Sequence, residues 1–92
     1  MAWPWTIELS SLAQKNLAQL DRQTSKRILA FLHKRVAQLD DPRGIGSSLK
    51  GDALGDYWKY RVGDWRVIAR IEDRVLRVLV VRIGHRRHIY RH

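Results

Sequence analysis

Apolar and polar residues alternate through Trp5-Thr6-Ile7-Glu8-Leu9, the period-two pattern of a short strand. The period then lengthens. Leu12, Ala13, Leu17 and Leu20 recur at helical spacing behind Ser10 or Ser11, either of which can cap the helix, and Ser11 with Gln14 has the spacing of a capping box. Asp21 predicts a second N-cap, and Ile28, Leu29, Leu32, Val36 and Leu39 form the apolar stripe of a second helix. Pro42, Gly44 and Gly46 predict its end near Leu39. Residues 43–55 read as a loop anchored by Leu49, and residues 57–83 return to period two as three strands. Gly63-Asp64 suits a two-residue hairpin turn, and Asp73-Arg74 marks a second. Strand, helical hairpin and antiparallel meander predict an α+β fold, with the helices packed on one face of an antiparallel sheet. Ninety-two residues suffice for one domain, residues 1–92, and not for two.

A turn at Gly63-Asp64 sets the register of everything beside it. It pairs Val62 with Trp65, Arg61 with Arg66, Tyr60 with Val67 and Lys59 with Ile68. One face then carries Trp58, Tyr60, Val62, Trp65, Val67, Ala69 and Ile71, continued by Leu76, Val78 and Val80, and should cover the helices. The other carries Tyr57, Lys59, Arg61, Arg66, Arg70 and Arg77, with Ile68, Leu79 and Val81 between them. A slip of one residue would bury the arginines, which constrains the register. Like charges directly opposed are destabilising, so this clustering points to an anion site, the alternative being side chains that splay into water. The segment past the last strand leaves the sheet at the Gly63-Asp64 end. It brings His85, Arg86, Arg87, His88 and Tyr90 toward Arg61 and Arg66.

Charge sharpens the picture. Eighteen Lys and Arg against nine Asp and Glu give a formal net charge of +9, which favours a polyanionic partner. From Tyr57 onward there are ten basic residues, nine of them arginine, and three acidic ones. Arginine's planar fork matches phosphate oxygens, whereas lysine is a hydrated point charge. Lys34 and Arg35 add to the basic surface as candidate contacts for such a partner, RNA among them, with Arg70, Arg77 and Arg87. There is no cysteine, hence no disulfide framework and no thiolate nucleophile. No histidine and carboxylate spacing suggests a metal site, and no cofactor motif is present. No stretch approaches the roughly 20 apolar residues of a membrane span, and Met1-Ala2-Trp3-Pro4-Trp5 lacks the basic start of a secretory signal. The expected location is cytoplasmic, with no membrane partner.

Several stretches resemble the RelE/ParE superfamily of bacterial toxins: Leu49-Lys50-Gly51, then the run RVGDWRVI from Arg61, then Ile83-Gly84-His85-Arg86 and Tyr90. The leading strand and helical hairpin fit as well. The resemblance implies a RelE-like, microbial-RNase-like domain and a type II toxin–antitoxin system. In RelE-like members it implies an endoribonuclease that enters the A site of the 70S ribosome and cuts messenger RNA there, inhibiting translation. The 2′-OH attacks the adjacent phosphate and no metal is used. It implies an acidic, RelB-like cognate antitoxin in a hetero-oligomeric complex. The family's functional positions fall on Lys59, Arg61, Arg66, Arg86 and Tyr90.

Such cleavage needs a base for the 2′-OH, cationic donors for the phosphorane-like transition state and an acid for the leaving 5′-oxygen. Arg61, Arg66 and Arg86 suit the second role, assisted by Lys59. Tyr90 is the base by resemblance, but an ordinary phenol titrates near 10, and His85 and His88 stand beside it as acid–base candidates. Two rival readings stand beside this one: a ParE-like inhibitor of DNA gyrase, a group that resembles the chain in fold but generally lacks this residue cluster, and a nucleic-acid-binding module without catalysis.

Overall fold

The computed structural model describes residues 5–49 and 57–89. Strand β1 (Thr6–Leu9) leads into helix α1 (Ser11–Ala18) and helix α2 (Arg22–Phe31). Ser10, not Ser11, caps α1: its Oγ accepts the N–H of Ala13 at 3.1 Å. Gln14 reaches back to the Leu9 carbonyl instead of closing a box on Ser11. Asp21 caps α2 by accepting the Thr24 N–H, as its position predicts. Each such cap is worth about 1 kcal/mol. Ser25 Oγ donates to the Leu17 carbonyl and fastens the two helices together.

Past Phe31 the helix widens into a π turn over Leu32–Val36, closed by the Ala37 N–H on the Leu32 carbonyl. Leu32 and Val36 stay buried, while His33, Lys34 and Arg35 all face outward. Trp5 is buried, and its indole N–H donates to the Asp40 carbonyl, tying the start of the chain to the end of this helical run. A 3-10 turn, Pro42–Gly44, and a two-residue strand β2 (Ser47–Ser48) lie where the sequence reads as loop, with Leu49 half-buried beyond. Gly46 has φ +81°, and a Cβ there would collide with the Lys59 carbonyl, so β2 reaches its neighbour only through glycine.

Three long strands follow: β3 (Tyr57–Val62), β4 (Trp65–Glu72) and β5 (Arg77–His85). The sheet order is β1-β5-β4-β3-β2. The α+β class is as expected, but the sheet is mixed, because β1 lies parallel to β5 at one edge. The β3–β4 register is the one that Gly63-Asp64 predicts, from Val62 opposite Trp65 through Arg61 opposite Arg66. Tyr60, Val62, Val67, Ala69, Ile71, Val78 and Val80 are buried on the face that α1 and α2 cover, with Ile28, Leu32 and Val36 packed against them. Tyr60 is fully buried. Its hydroxyl donates to the Pro42 carbonyl, and burial raises its pKa well above the ordinary phenol value.

Two details depart from the sequence reading. The β4–β5 connection is longer than two residues: a 3-10 turn over Asp73–Val75 precedes Leu76 in the left-handed conformation, φ 51°. Leu76 therefore leaves the core face and is 43% exposed, while its carbonyl accepts the Thr6 N–H. The second departure is a bulge in β5. Ala69 pairs with Val80 but Ile68 pairs with Arg82, so Val81 is the extra residue. Ser10 Oγ donates to the Val81 carbonyl, and Asn16 Oδ1 accepts the Ile83 N–H. Beyond the bulge the alternation inverts: Ile83 is buried in the core, and Arg82 lies on the opposite face.

Replacing Asn16 with alanine leaves the Ile83 N–H without its acceptor. The expected loss is about 1–3 kcal/mol in denaturant unfolding, against less than about 0.5 kcal/mol for the exposed Gln19→Ala. A second expectation concerns acid. The Arg77 side chain, by hydrogen bond, holds Glu72 below the usual carboxylate range, and Arg43 does the same for Asp73. Both pKa values are lower folded than unfolded. Their stabilisation is therefore complete above the ordinary value of about 4 and fades as pH falls through the folded values. Melting curves should show Glu72→Gln less stable than the parent at pH 7, with the gap closing towards about pH 2. A gap that stays constant with pH would refute this.

Candidate functional site

The sheet face away from the helices carries the basic residues in rows. Lys59, Ile68 and Arg82 lie side by side across β3, β4 and β5, and Arg61, Arg66 and Gly84 form the next row. Strand spacing makes each row about 10 Å wide, and two residues of rise separate the rows by about 7 Å. Ile68 is buried at the centre. Arg82 was not among the residues singled out from the sequence, because strict alternation puts it on the core face. The one signal for it is that Val78, Val80 and Ile83 cannot all share a face without an extra residue between them.

Among the described residues Arg66 is the one buried charged side chain, at 9% exposure. Its Nη1 donates to the carbonyls of Gly63 and Trp65, both at 3.1 Å. This turns the guanidinium toward the hairpin tip and away from Arg61 opposite. Among the described residues no buried side-chain nitrogen or oxygen lacks a partner, so the rest of the Arg66 fork opens to solvent. The result is a guanidinium with a packed shaft and two fixed hydrogen bonds that, among the described residues, has no carboxylate paired with it. Such preorganisation is what recognition of a phosphate in one orientation requires.

The segment after β5 folds back over the same end. The Arg86 N–H donates to the Asp64 carbonyl at 2.8 Å, and its Nε lies 3.8 Å from the Asp64 carboxylate. The His88 and Ile89 N–H groups both donate to the His85 carbonyl, forming a turn. Ile89 is buried against Gly84: a Cβ on Gly84 would meet its side chain at 2.9 Å. Glycine at this row position thus gives the chain end its seat beside Arg66. Arg87 and His88 are exposed on this turn. Tyr90 is the next residue along, and lies outside the described residues, as do Lys50 and Gly51.

The other predicted residues are not all brought here. His85 pairs with Trp65, on the opposite face from Arg66, and their rings meet edge to face at 5.5 Å. Its Nδ1 accepts the Arg87 N–H, so the ring is engaged in shaping the turn. Arg70 stands four residues along β4 from Arg66, about 13 Å away. Arg77 is farther still and is paired with Glu72 and Glu8. Lys34 and Arg35 lie on the π turn, across the free edge of β3 from Arg61. Among the described residues no three His, Asp or Glu side chains come together, and no helix is long and apolar enough to cross a membrane.

Comparison with known proteins gives this geometry a context. Over 88 residues the chain is 26% identical to Toxin RelG of Mycobacterium tuberculosis, covering 96% of this chain and 98% of that protein. Its fold superposes on the toxin–antitoxin complex RelBE2 of Mycobacterium tuberculosis with a TM-score of 0.81 and 22% identity, covering 92% of this chain and 94% of the other. The isolated E. coli RelE toxin gives 0.70 at 18% identity, over 88% and 83% of the two chains. The archaeal RelE–RelB complex of Pyrococcus horikoshii gives 0.71 at 21%, over 92% and 98%. The family model for the ParE toxin of type II toxin–antitoxin systems matches residues 7–90. The chain belongs to this ParE toxin family, and so to the RelE/ParE superfamily of type II toxins.

Proposed function

We propose that this toxin is a metal-independent endoribonuclease that cuts messenger RNA in the ribosomal A site. The observation that carries the reading is the set of Arg61, Arg66 and Arg86 gathered at one two-residue turn, with Arg66 buried, held by two carbonyls and paired with no acid among the described residues. In the reaction the 2′-oxygen forms a bond to the adjacent phosphorus and the bond to the 5′-oxygen breaks. The 2′-OH proton passes to a base, and an acid protonates the leaving oxygen. The products are a 2′,3′-cyclic phosphate and a free 5′-hydroxyl. Arg66 and Arg61 meet the charge that grows on the phosphoryl oxygens, with Arg86 at the rim and Lys59 and Arg82 in the adjoining row. Tyr90 is the base or His88 takes that part, since His88 is exposed on the turn that Arg86 begins and Tyr90 stands two residues on in the sequence. His85, with Nδ1 occupied, positions the turn. A cognate, acidic, RelB-like antitoxin neutralises the basic surface in a hetero-oligomeric complex. The support is the net charge of +9 and the complexes in which similar toxins were solved.

A second reading is a ParE-like inhibitor of DNA gyrase, favoured by the family model that matches the chain. Controlled expression with mapping of messenger RNA 5′ ends separates the two. Codon-phased cuts are expected, and Arg66→Ala should lower their rate about 100-fold or more. Tyr90→Phe and His88→Ala, each assayed for cleavage rate against pH, identify the base. Purified toxin should cut naked RNA poorly and cut it efficiently once ribosomes are added. Intact messages with gyrase-linked DNA breaks would sink the nuclease and support the second reading.

A further inference from the structure

Beyond Lys59 the outer edge of β3 has no strand beside it among the described residues, since β2 pairs only with Trp58 and Lys59. Helix α2 and its π turn run along this edge. Between them lie two adjoining hollows of about 350 and 410 Å³, both bordered by Phe31, Arg35 and Arg61. Both are within the size range of small-ligand sites. Arg27 and Lys34 complete the second, and among the described residues no acid borders either. Among the described residues Arg27, Lys34, Arg35 and Arg61 make no ion pair. The contrast with Arg43, Arg77 and Arg86 is plain, because each of those is paired with an acid.

Three further features shape this groove. The guanidinium of Arg35 lies 5.7 Å over the Phe31 ring, which fixes a flat cationic plane at the groove wall. Arg27 lies over Gly63, close enough that a Cβ there would come within 3.0 Å of its Nη1. The backbone adds a donor. The two-residue turn makes Val62 and Trp65 the hydrogen-bonded pair, so the N–H of Arg61 points away from β4 to the open edge. Arg61 thus belongs to two surfaces, its side chain standing in the row with Arg66 and its strand edge lining the groove.

The geometry points to this groove as a second RNA-binding track, which holds backbone phosphates of the strand beyond the one bound at Arg66. Unpaired cations with an edge N–H suit any polyanion, but the Arg35 plane on Phe31 favours a nucleic acid. Bases stack on the face of a guanidinium plane, a contact that carboxylates, which take its N–H edge, do not make. Continuity through Arg61 lets one strand engage both sites. The inference rests on the reading of the chain as an RNA-acting toxin, and its test is independent of cleavage.

The probe is a labelled 2′-O-methyl RNA 12-mer, which cannot be cut by 2′-OH attack, titrated with the full chain by fluorescence anisotropy at several salt concentrations. Lys34→Gln/Arg35→Gln removes two groove cations. Arg22→Gln/Lys26→Gln removes two exposed cations of the same helix that border neither hollow. The groove variant should bind on the order of tenfold more weakly, and its salt dependence should flatten by about 1.4, two single-strand phosphate contacts. The control variant should stay within about twofold of the parent, and circular dichroism should show all three folded. Equal losses in both variants would reduce the groove to net charge and overturn the proposal. So would a 12-residue poly-glutamate that binds as tightly as the RNA and loses as much in the groove variant, which would mark a site for an acidic protein. If Arg66→Ala leaves messages cut as before while the groove result holds, the catalytic assignment fails and the RNA track stands.

Discussion

Gly63 takes a positive φ of +61° and Asp64 does not, so β3 reverses into β4 through a turn of the kind that requires glycine at its first central position. With two residues in the turn, Val62 must pair with Trp65. Arg61 then stands opposite Arg66, and alternate residues back through Tyr60 and Trp58 are directed at the helices. The same turn supplies the Gly63 carbonyl that holds Arg66 and the Asp64 carbonyl that receives the chain after β5. One hairpin tip therefore determines the sheet register, the orientation of a buried guanidinium and the path of the C-terminal segment.

Charge in this protein is sorted by position. Glu8, Glu72 and Asp73 neutralise Arg77 and Arg43 at the end of the sheet remote from Gly63. At the Gly63 end the one ion-paired acid among the described residues is Asp64, exposed and 3.8 Å from Arg86. The arginines of this end keep a field that the remote end has cancelled. Holding Arg61 against Arg66, and Lys34 and Arg35 beside them, costs folding stability. The expense is tolerable because two neutral carbonyls steer Arg66 away from its neighbour and a ring supports Arg35.

Residues 57–72 were legible because a Gly-Asp pair and a period-two pattern carry their geometry locally. The caps at Ser10 and Asp21 were legible for the same reason. What escaped was non-local. The bulge at Val81 is stabilised by Ser10 and Asn16, both more than sixty residues away in sequence. The parallel pairing of β1 with β5 depends on β5 having an open edge, which no pattern in Trp5–Leu9 announces. The β4–β5 turn ran long because Leu76 adopts a left-handed conformation that leucine seldom takes, held by the Thr6 N–H on its carbonyl. In the site, Arg61 and Arg66 were readable from register. Arg82 required the bulge, and the engagement of His85 with Trp65 and the Arg87 N–H required coordinates.

The bulge at Val81 has a consequence for how this chain can change over time. A strand that alternates without interruption tolerates trimming in steps of two, since parity is kept. Here one odd residue divides β5 into two segments of opposite phase, the first matched to β1 and the second to the arginine rows. Deleting a single residue between Val80 and Ile83 would restore simple alternation. Removing Val81 would leave Arg82 opposite Ile68 and Ile83 in the core, whereas pairing the strand at full length without the bulge would exchange their environments, placing a cation among the helices and an isoleucine in the basic face. A one-residue deletion is therefore absorbed most simply at Val81, where the odd residue already stands. Elsewhere in β5 the gain or loss of one residue would turn one segment over against its neighbours.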